Sequence, residues 1–138
     1  MVRRPFPYFI HRNQTVTPLI ASLLSYGFML VAYQYPHRRL FHIPTMAAII
    51  IFDLSMPLFL MTHRNWWHRL IEVGDLFSFL VWMHFGLLIT LYTLEVMQAL
   101  TGIRILRGNP SARSHHHEQA KAVLIVRALA LVTGGFLA

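Results

Sequence analysis

Residues 72–102, EVGDLFSFLVWMHFGLLITLYTLEVMQALTG, decide the fold class of this chain. From Leu76 to Leu94, 19 residues follow one another without an acidic residue, Lys or Arg. A helix rises about 1.5 Å per residue, so about 20 residues cross the hydrocarbon core of a bilayer. The stretch therefore predicts a transmembrane helix. His84 interrupts it near the middle, where an ionisable ring normally turns inward to a partner.

The composition extends this prediction to the whole chain. Of its 138 residues, 56% are hydrophobic and 12% are charged, which is typical of a protein that crosses the membrane several times. The absence of cysteine excludes disulfides, thiolate metal ligands and covalent haem attachment through CxxCH. The net charge is +7, but the basic residues lie between apolar segments. We therefore expect phospholipids and other membrane subunits as partners, and no nucleic acid.

The apolar segments predict an all-α integral membrane protein with a bundle of about four transmembrane helices. The expected spans are about 16–35, 44–62, 74–101 and 122–138. Together they form a single transmembrane domain, 15–138. Arg127 and two glycines weaken the last span, so three spans plus an interfacial or re-entrant C-terminal helix are the alternative.

Interface and loop signals separate the spans. The basic and aromatic segment 1–14 predicts an interfacial arm, and Trp66 and Trp67 predict an aromatic belt. Pro44 is placed to open the second helix. The stretch 104–121, with GNPSARSHHHEQ at its centre, predicts a polar loop that contains the three consecutive histidines.

Three ionisable side chains fall at a similar depth in different predicted spans: Asp53, His84 and Arg127. Because each would otherwise bear its desolvation alone, a shared polar site is expected. A quinone pocket, a proton relay or a haem site fits this pattern, with Arg127 facing a haem propionate, a quinone or a lipid phosphate. The alternative is structural: an Asp53–Arg127 pair, or an Asp53–His84 hydrogen bond, that fixes the register of the helices.

His84 as a haem ligand needs a second axial histidine at comparable depth. The other histidines lie near predicted interfaces or in loops, so another subunit would have to supply that ligand. A hydrogen-bonded structural histidine is the alternative. Glu95 follows 11 residues later on the same helix face and is expected nearer the interface, facing the same partner or cavity as His84. A carboxylate that pairs with a nearby arginine is the alternative. Tyr92 is either a donor to a quinone carbonyl or an interfacial tyrosine.

The His84–Glu95 spacing in a membrane helix, followed by a basic loop and a short last span, resembles the membrane-anchor (cytochrome b-type) subunits of succinate:quinone oxidoreductase, respiratory complex II. The resemblance covers about residues 80–138, with Glu95-Val96 standing where the family has Asp-Tyr. It implies that His84 ligates the iron of a haem b shared with a partner subunit. It also implies contact of Tyr92 or Glu95 with ubiquinone or menaquinone, in the mitochondrial inner membrane or the bacterial cytoplasmic membrane.

We therefore expect a membrane-anchor subunit of a multi-subunit respiratory electron-transfer complex, which helps to form a quinone site. Such a subunit is non-catalytic or co-catalytic, and no catalytic residue is assigned to it. One alternative is an accessory subunit of a respiratory or photosynthetic complex that binds lipids and neighbouring subunits. Another is a proton- or ion-conducting subunit that uses Asp53, Glu95 and Arg127.

Overall fold

The computed structural model describes the backbone of residues 9–63 and 75–137 and the side chains of residues 17–59, 62 and 79–137. Four helices make up these ranges: α1 (Phe9–Gln34), α2 (Arg39–His63), α3 (Asp75–Leu106) and α4 (Ala112–Leu137). The predicted all-α class and helix count are confirmed for this part of the chain. Each helix contains a segment long and apolar enough to cross a membrane.

Two predicted interface features fall outside the described residues. The aromatic belt of Trp66 and Trp67 is one of them, and most of the arm 1–14 is the other. Only the backbone of the end of that arm is described, where α1 begins at Phe9.

The helices alternate in direction and pack in the order α2–α1–α4–α3. α1 and α4 run antiparallel, since the Tyr26 hydroxyl donates to the Leu124 carbonyl (3.4 Å) and the Tyr33 ring stacks on His117. The α3–α4 contact is the most extensive, whereas α2 and α3 meet over only a short length. The result is an up-down-up-down bundle with a weakly packed seam between α2 and α3. The α1–α2 and α3–α4 turns lie at the same end.

α3 and α4 form an antiparallel hairpin with a fixed register. His84 is hydrogen-bonded to Thr133 (2.7 Å) at one level, and Thr101 to His116 (3.1 Å) at another. The same number of residues separates the two contacts on each helix, so the helices pair evenly along their length. Inward positions of α3 recur at intervals of three and four residues, the spacing of helices that pack side by side. These positions are Val81, His84, Leu88, Leu91, Glu95 and Gln98.

The α3–α4 turn is much shorter than predicted, so the prediction of a polar loop over 104–121 is wrong. α3 continues to Leu106 and ends in a Schellman motif at Gly108, whose φ is +89°. In this motif the Gly108 amide donates to the Ile105 carbonyl, and the Asn109 amide to the Arg104 carbonyl (3.1 Å each). Pro110 follows, and α4 begins two residues later. The alanines, glutamate and glutamine that come next favour a helix over a loop.

Pro44 does not open α2, which begins five residues earlier at Arg39. The Arg38 carbonyl accepts the amides of Phe41 (2.9 Å) and His42 (2.8 Å), which starts the helix before the proline. The His42 ring also donates from Nδ1 to the Ala32 carbonyl at the end of α1 (2.9 Å). Pro44 therefore removes a single amide donor near the start of an established helix.

Replacement of two adjacent glycines tests the α3–α4 packing. A Cβ at Gly134 would lie 3.1 Å from His84 Cε1, whereas a Cβ at Gly135 meets nothing within 4 Å. Both alanines gain up to about 1 kcal/mol of helix propensity. Gly134→Ala also overpacks the contact with His84, so its free energy of unfolding should be about 1–3 kcal/mol lower than that of Gly135→Ala.

Unfolding of the detergent-solubilised chain, followed by circular dichroism, measures this difference. Gly135→Ala is the matched control, because it changes the same residue type one position along the same helix. Equal stability of the two variants would show that His84 does not pack against Gly134.

Candidate functional site

Arg127, only 3% exposed, is the point at which all four helices meet. Its Nη2 donates to Asp53 Oδ1 on α2 (2.8 Å) and to Ser25 Oγ on α1 (2.6 Å). Its Nη1 lies 2.7 Å from Asp53 Oδ2 and 4.0 Å from Glu95 Oε1 on α3. Met29 Sδ, also on α1, accepts a weaker bond from Nη1 (3.5 Å). We call Asp53, Glu95 and Arg127 the charge cluster.

The Asp53–Arg127 contact is a buried ion pair with one hydrogen bond, from Nη2 to Oδ1 (2.8 Å), while Oδ2 lies 2.7 Å from Nη1 without hydrogen-bond geometry. Each carboxylate oxygen meets a different guanidinium nitrogen. Ser25 donates its own proton to the Ser22 carbonyl (2.9 Å), so its oxygen is free to accept from Arg127. Of the two structural alternatives raised by the sequence, the Asp53–Arg127 pair is present. His84 makes its hydrogen bond with Thr133 and not with Asp53.

Glu95 lies in the interior of the bundle beside Arg127, which agrees with the alternative that it is an arginine partner. Its residue exposure is 3%, and neither carboxylate oxygen has a hydrogen-bond partner among the described residues. α3 extends past the predicted span to Leu106, which places Glu95 11 residues from the helix end, or about 16 Å. Tyr92, half-buried, lies within electrostatic reach of the charge cluster.

The His84 ring is held at Nδ1 by the end of α4. The Thr133 hydroxyl lies 3.0 Å from the Leu129 carbonyl and 3.1 Å from the Ala130 carbonyl, to which it donates its proton. Thr133 Oγ1 therefore accepts from His84 Nδ1. A neutral imidazole that carries its proton on Nδ1 keeps a lone pair on Nε2. This is the form in which a histidine binds a metal through Nε2 while a second contact orients its ring.

The described residues thus fit one axial haem ligand and not two. His42, His116 and His117 gather at the end of the bundle that carries the two turns. His116 contacts Thr101, which lies 17 residues from His84 along α3, or about 25 Å. No group of three or more metal-binding side chains occurs in the part of the chain that the structure describes. A haem at His84 would need its second ligand from another subunit.

A second polar group lies at the turn-bearing end, where the sequence predicted only a solvated loop. His117 stacks on Tyr33 (ring centroids 5.7 Å apart), and His42 meets His116 edge-on (6.4 Å). We call His42, His116 and His117 the histidine cluster. Thr101 joins it to α3, because its hydroxyl lies 3.1 Å from His116 Nδ1 and 2.8 Å from Gln119 Oε1.

The sequence does carry a signal for this second group. Glu95, Gln98 and Thr101 recur at three-residue intervals on α3, and His116 and Gln119 show the same interval on α4. Polar residues with helical spacing on two consecutive segments indicate that the segments face each other through those residues. The prediction of a loop over 104–121 hid the α4 half of this pattern.

Comparison with protein-family models, with curated proteins and with solved structures found no match for this chain.

Removal of the guanidinium should cost more stability than removal of either carboxylate. Arg127→Met leaves Asp53 and Glu95 buried without a cation, and loss of one partner of a buried pair costs about 3–5 kcal/mol. Asp53→Asn should cost less, because Glu95 remains beside Arg127 at 4.0 Å. Unfolding of each purified variant in the same detergent measures the order of their free energies of unfolding.

Lys121→Met is the matched control for Arg127→Met. Lys121 pairs with Glu118 on the same helix at 3.2 Å, but both side chains are about half-exposed or more. An exposed pair contributes roughly 0–1 kcal/mol. If Arg127→Met and Lys121→Met proved equally stable, Arg127 would not hold the four helices together.

Proposed function

We propose that this chain is a membrane-anchor subunit that functions within a multi-subunit membrane complex. The observation that carries the proposal is an outward face of α3, opposite its contact with α4, that is lined by Gly86, Thr90 and Thr93. All three are exposed, and a Cβ on Gly86 would meet nothing within 4 Å. Their spacing of four and three residues places them on one helix face. Small residues at such spacing let a second helix approach closely in lipid.

The packing of the four helices is consistent with this role. Only 11–22% of the residues in each candidate membrane span are buried within the chain. The seam between α2 and α3 leaves the bundle open along one side. The Thr90 and Thr93 hydroxyls donate to backbone carbonyls one turn earlier (2.9 Å each), so their outer surface is smooth and weakly polar. We propose that helices of neighbouring subunits cover these surfaces, and that phospholipids cover the rest.

Gly86→Leu should separate the chain from its complex without unfolding it. A leucine side chain fills the space through which a partner helix would approach, while leucine favours the helix over glycine. The measurement is the size of the native complex after mild detergent extraction, together with the thermal stability of the isolated chain.

Gly27→Leu on α1 is the matched control, because Gly27 is also exposed and also has nothing within 4 Å of its Cβ position. It should leave the size of the complex unchanged. A complex that survives Gly86→Leu intact would contradict the proposed partner face.

Within such a complex we propose an electron-transfer role, in which His84 supplies one axial ligand to a haem b. The Thr133 contact at Nδ1 supports it, because it leaves the Nε2 lone pair of His84 available. A bound haem would supply one-electron transfer, and Thr133 would orient the His84 ring. An accessory subunit without a redox centre is the second candidate, favoured by the absence of a second histidine near His84 among the described residues.

The reduced-minus-oxidised spectrum of the purified complex decides between the two candidates. The redox role predicts a haem b band that disappears in His84→Ala and persists in His42→Ala, which changes a histidine at the other end of the bundle. Thr133→Val should shift the band or the potential, because the ring loses the contact that orients it. A complex that shows no haem band, or that retains the whole band in His84→Ala, leaves the accessory subunit as its function.

A further inference from the structure

The charge cluster contains two carboxyl groups for one guanidinium. Asp53 contacts both Nη1 and Nη2 of Arg127, whereas Glu95 Oε1 lies 4.0 Å from Nη1. With both acids ionised, the cluster would hold one net negative charge among apolar helices. Burial of an uncompensated carboxylate is strongly unfavourable. A proton on Glu95 removes that charge.

The same proton supplies a missing hydrogen-bond donor. Both Glu95 oxygens are buried without a hydrogen-bond partner among the described residues. The titratable groups that face Glu95 are Asp53 on α2, Arg127 on α4 and Tyr92 on its own helix. α1 contributes the uncharged Ser25 and Met29 through Arg127. Two carboxyl groups beside one guanidinium commonly share a proton.

Polar groups connect Glu95 to one end of the bundle. Gln98, one turn along α3, is 4% exposed, and its Oε1 has no hydrogen-bond partner within the described ranges. Gln98 lines a cavity of about 20 Å³ together with Tyr33 and His42. The walls of this cavity are almost entirely apolar. The polar contact of Gln98 toward this end is its backbone carbonyl, which accepts from the Thr101 hydroxyl (3.0 Å).

The path continues from Thr101 to the histidine cluster. His42 meets His116 edge-on, and His116 is hydrogen-bonded to Thr101 at 3.1 Å. His117 is exposed beside them and stacks on Tyr33. Histidine accepts and releases protons near neutral pH. The cluster is therefore suited to pass protons between water and the buried part of the path.

The opposite direction is apolar beyond Tyr92, which faces Glu95 from its own helix. The next inward positions of α3 toward His84 are Leu91 and Leu88, which are buried and half-buried. α4 offers Ala128, Leu129, Ala130, Leu131 and Val132 over the facing stretch from Arg127 to Thr133. In the described part of the chain, the polar path from Glu95 leads to one end of the bundle alone.

We propose that Glu95 is a proton-binding site that exchanges its proton with the aqueous side bearing the histidine cluster, through Gln98 and Thr101. The ligand is a proton, and the reaction is reversible protonation of the Glu95 carboxylate. Asp53 and Arg127 remain paired beside Glu95, so the change in charge falls on Glu95 alone. This inference does not depend on haem, on a quinone or on the partner face of α3.

Infrared spectroscopy of the full chain in lipid vesicles tests the site. Wild type should show the carbonyl stretching band of a protonated carboxylic acid at neutral pH, and Glu95→Gln should remove that band. Asp53→Asn should also remove it, because Glu95 can then ionise as the partner of Arg127. Glu118→Gln, at an exposed glutamate outside the cluster, should retain it. If no such band exists, or if it survives Glu95→Gln, Glu95 does not hold the proton and the proposal is overturned.

The exchange rate tests the path. Transfer into D₂O should shift the Glu95 band, and Gln98→Leu should slow that shift about tenfold or more, because it removes a polar step from a buried route. Gln34→Leu, the same substitution at an exposed glutamine of α1, is the matched control and should leave the rate unchanged. An unchanged rate in Gln98→Leu overturns the proposed route.

Chemical labelling of the wild-type chain gives a test that needs no variant to fold. A hydrophobic carbodiimide reacts with protonated carboxyl groups in apolar surroundings, and mass spectrometry locates the product. Glu95 should be labelled, whereas Glu118, exposed and paired with Lys121, should not. Labelling that spares Glu95 in the folded protein counts against the proposal.

Discussion

The arrangement of the four helices depends on the single guanidinium of Arg127. The guanidinium donates to Ser25 and Met29 on α1, pairs with Asp53 on α2 and lies beside Glu95 on α3. The apolar core around it is small, consisting of Met29, Ile49, Leu91 and Val123 with a few half-buried neighbours. Apolar side chains gain little by leaving lipid for one another, so directional polar contacts select the packing of helices in such surroundings. Arg127 supplies those contacts for all four helices at one depth.

The rest of the bundle can be derived from the α3–α4 hairpin. The Schellman motif at Gly108 turns the chain sharply, and the even register between His84–Thr133 and Thr101–His116 brings Glu95 opposite the Arg127 region. α1 then packs on α4, and α2 follows α1 through a short turn. α2 has little contact with α3, so its position relative to that helix depends largely on Asp53. This explains why a costly aspartate is tolerated in the middle of an apolar segment.

Much of this could be predicted from the sequence, because length and hydropathy directly limit where a helix can cross a membrane. The common depth of Asp53, His84 and Arg127 predicted a shared polar site, with the Asp53–Arg127 pair as one of two structural alternatives, and the structure brings together Asp53 and Arg127 but not His84. The depth of Glu95 in the bundle could not be predicted, because it depends on where α3 ends. The sequence RGNP permits both a long loop and a compact Schellman turn. The partner of His84 also lay beyond sequence reasoning, because a threonine among many hydroxyl-bearing residues has no distinguishing pattern.

The two polar sites of α3 are chemically separate, and this limits how they can act together. Beyond Tyr92, the inward positions of α3 toward His84 are Leu91 and Leu88, which offer no polar group to a proton on Glu95. The charge cluster joins α2 to α3, two helices that otherwise have little contact, and its members are buried. In the described residues, polar groups therefore continue from Glu95 toward Gln98, Thr101 and the histidine cluster, and not toward His84.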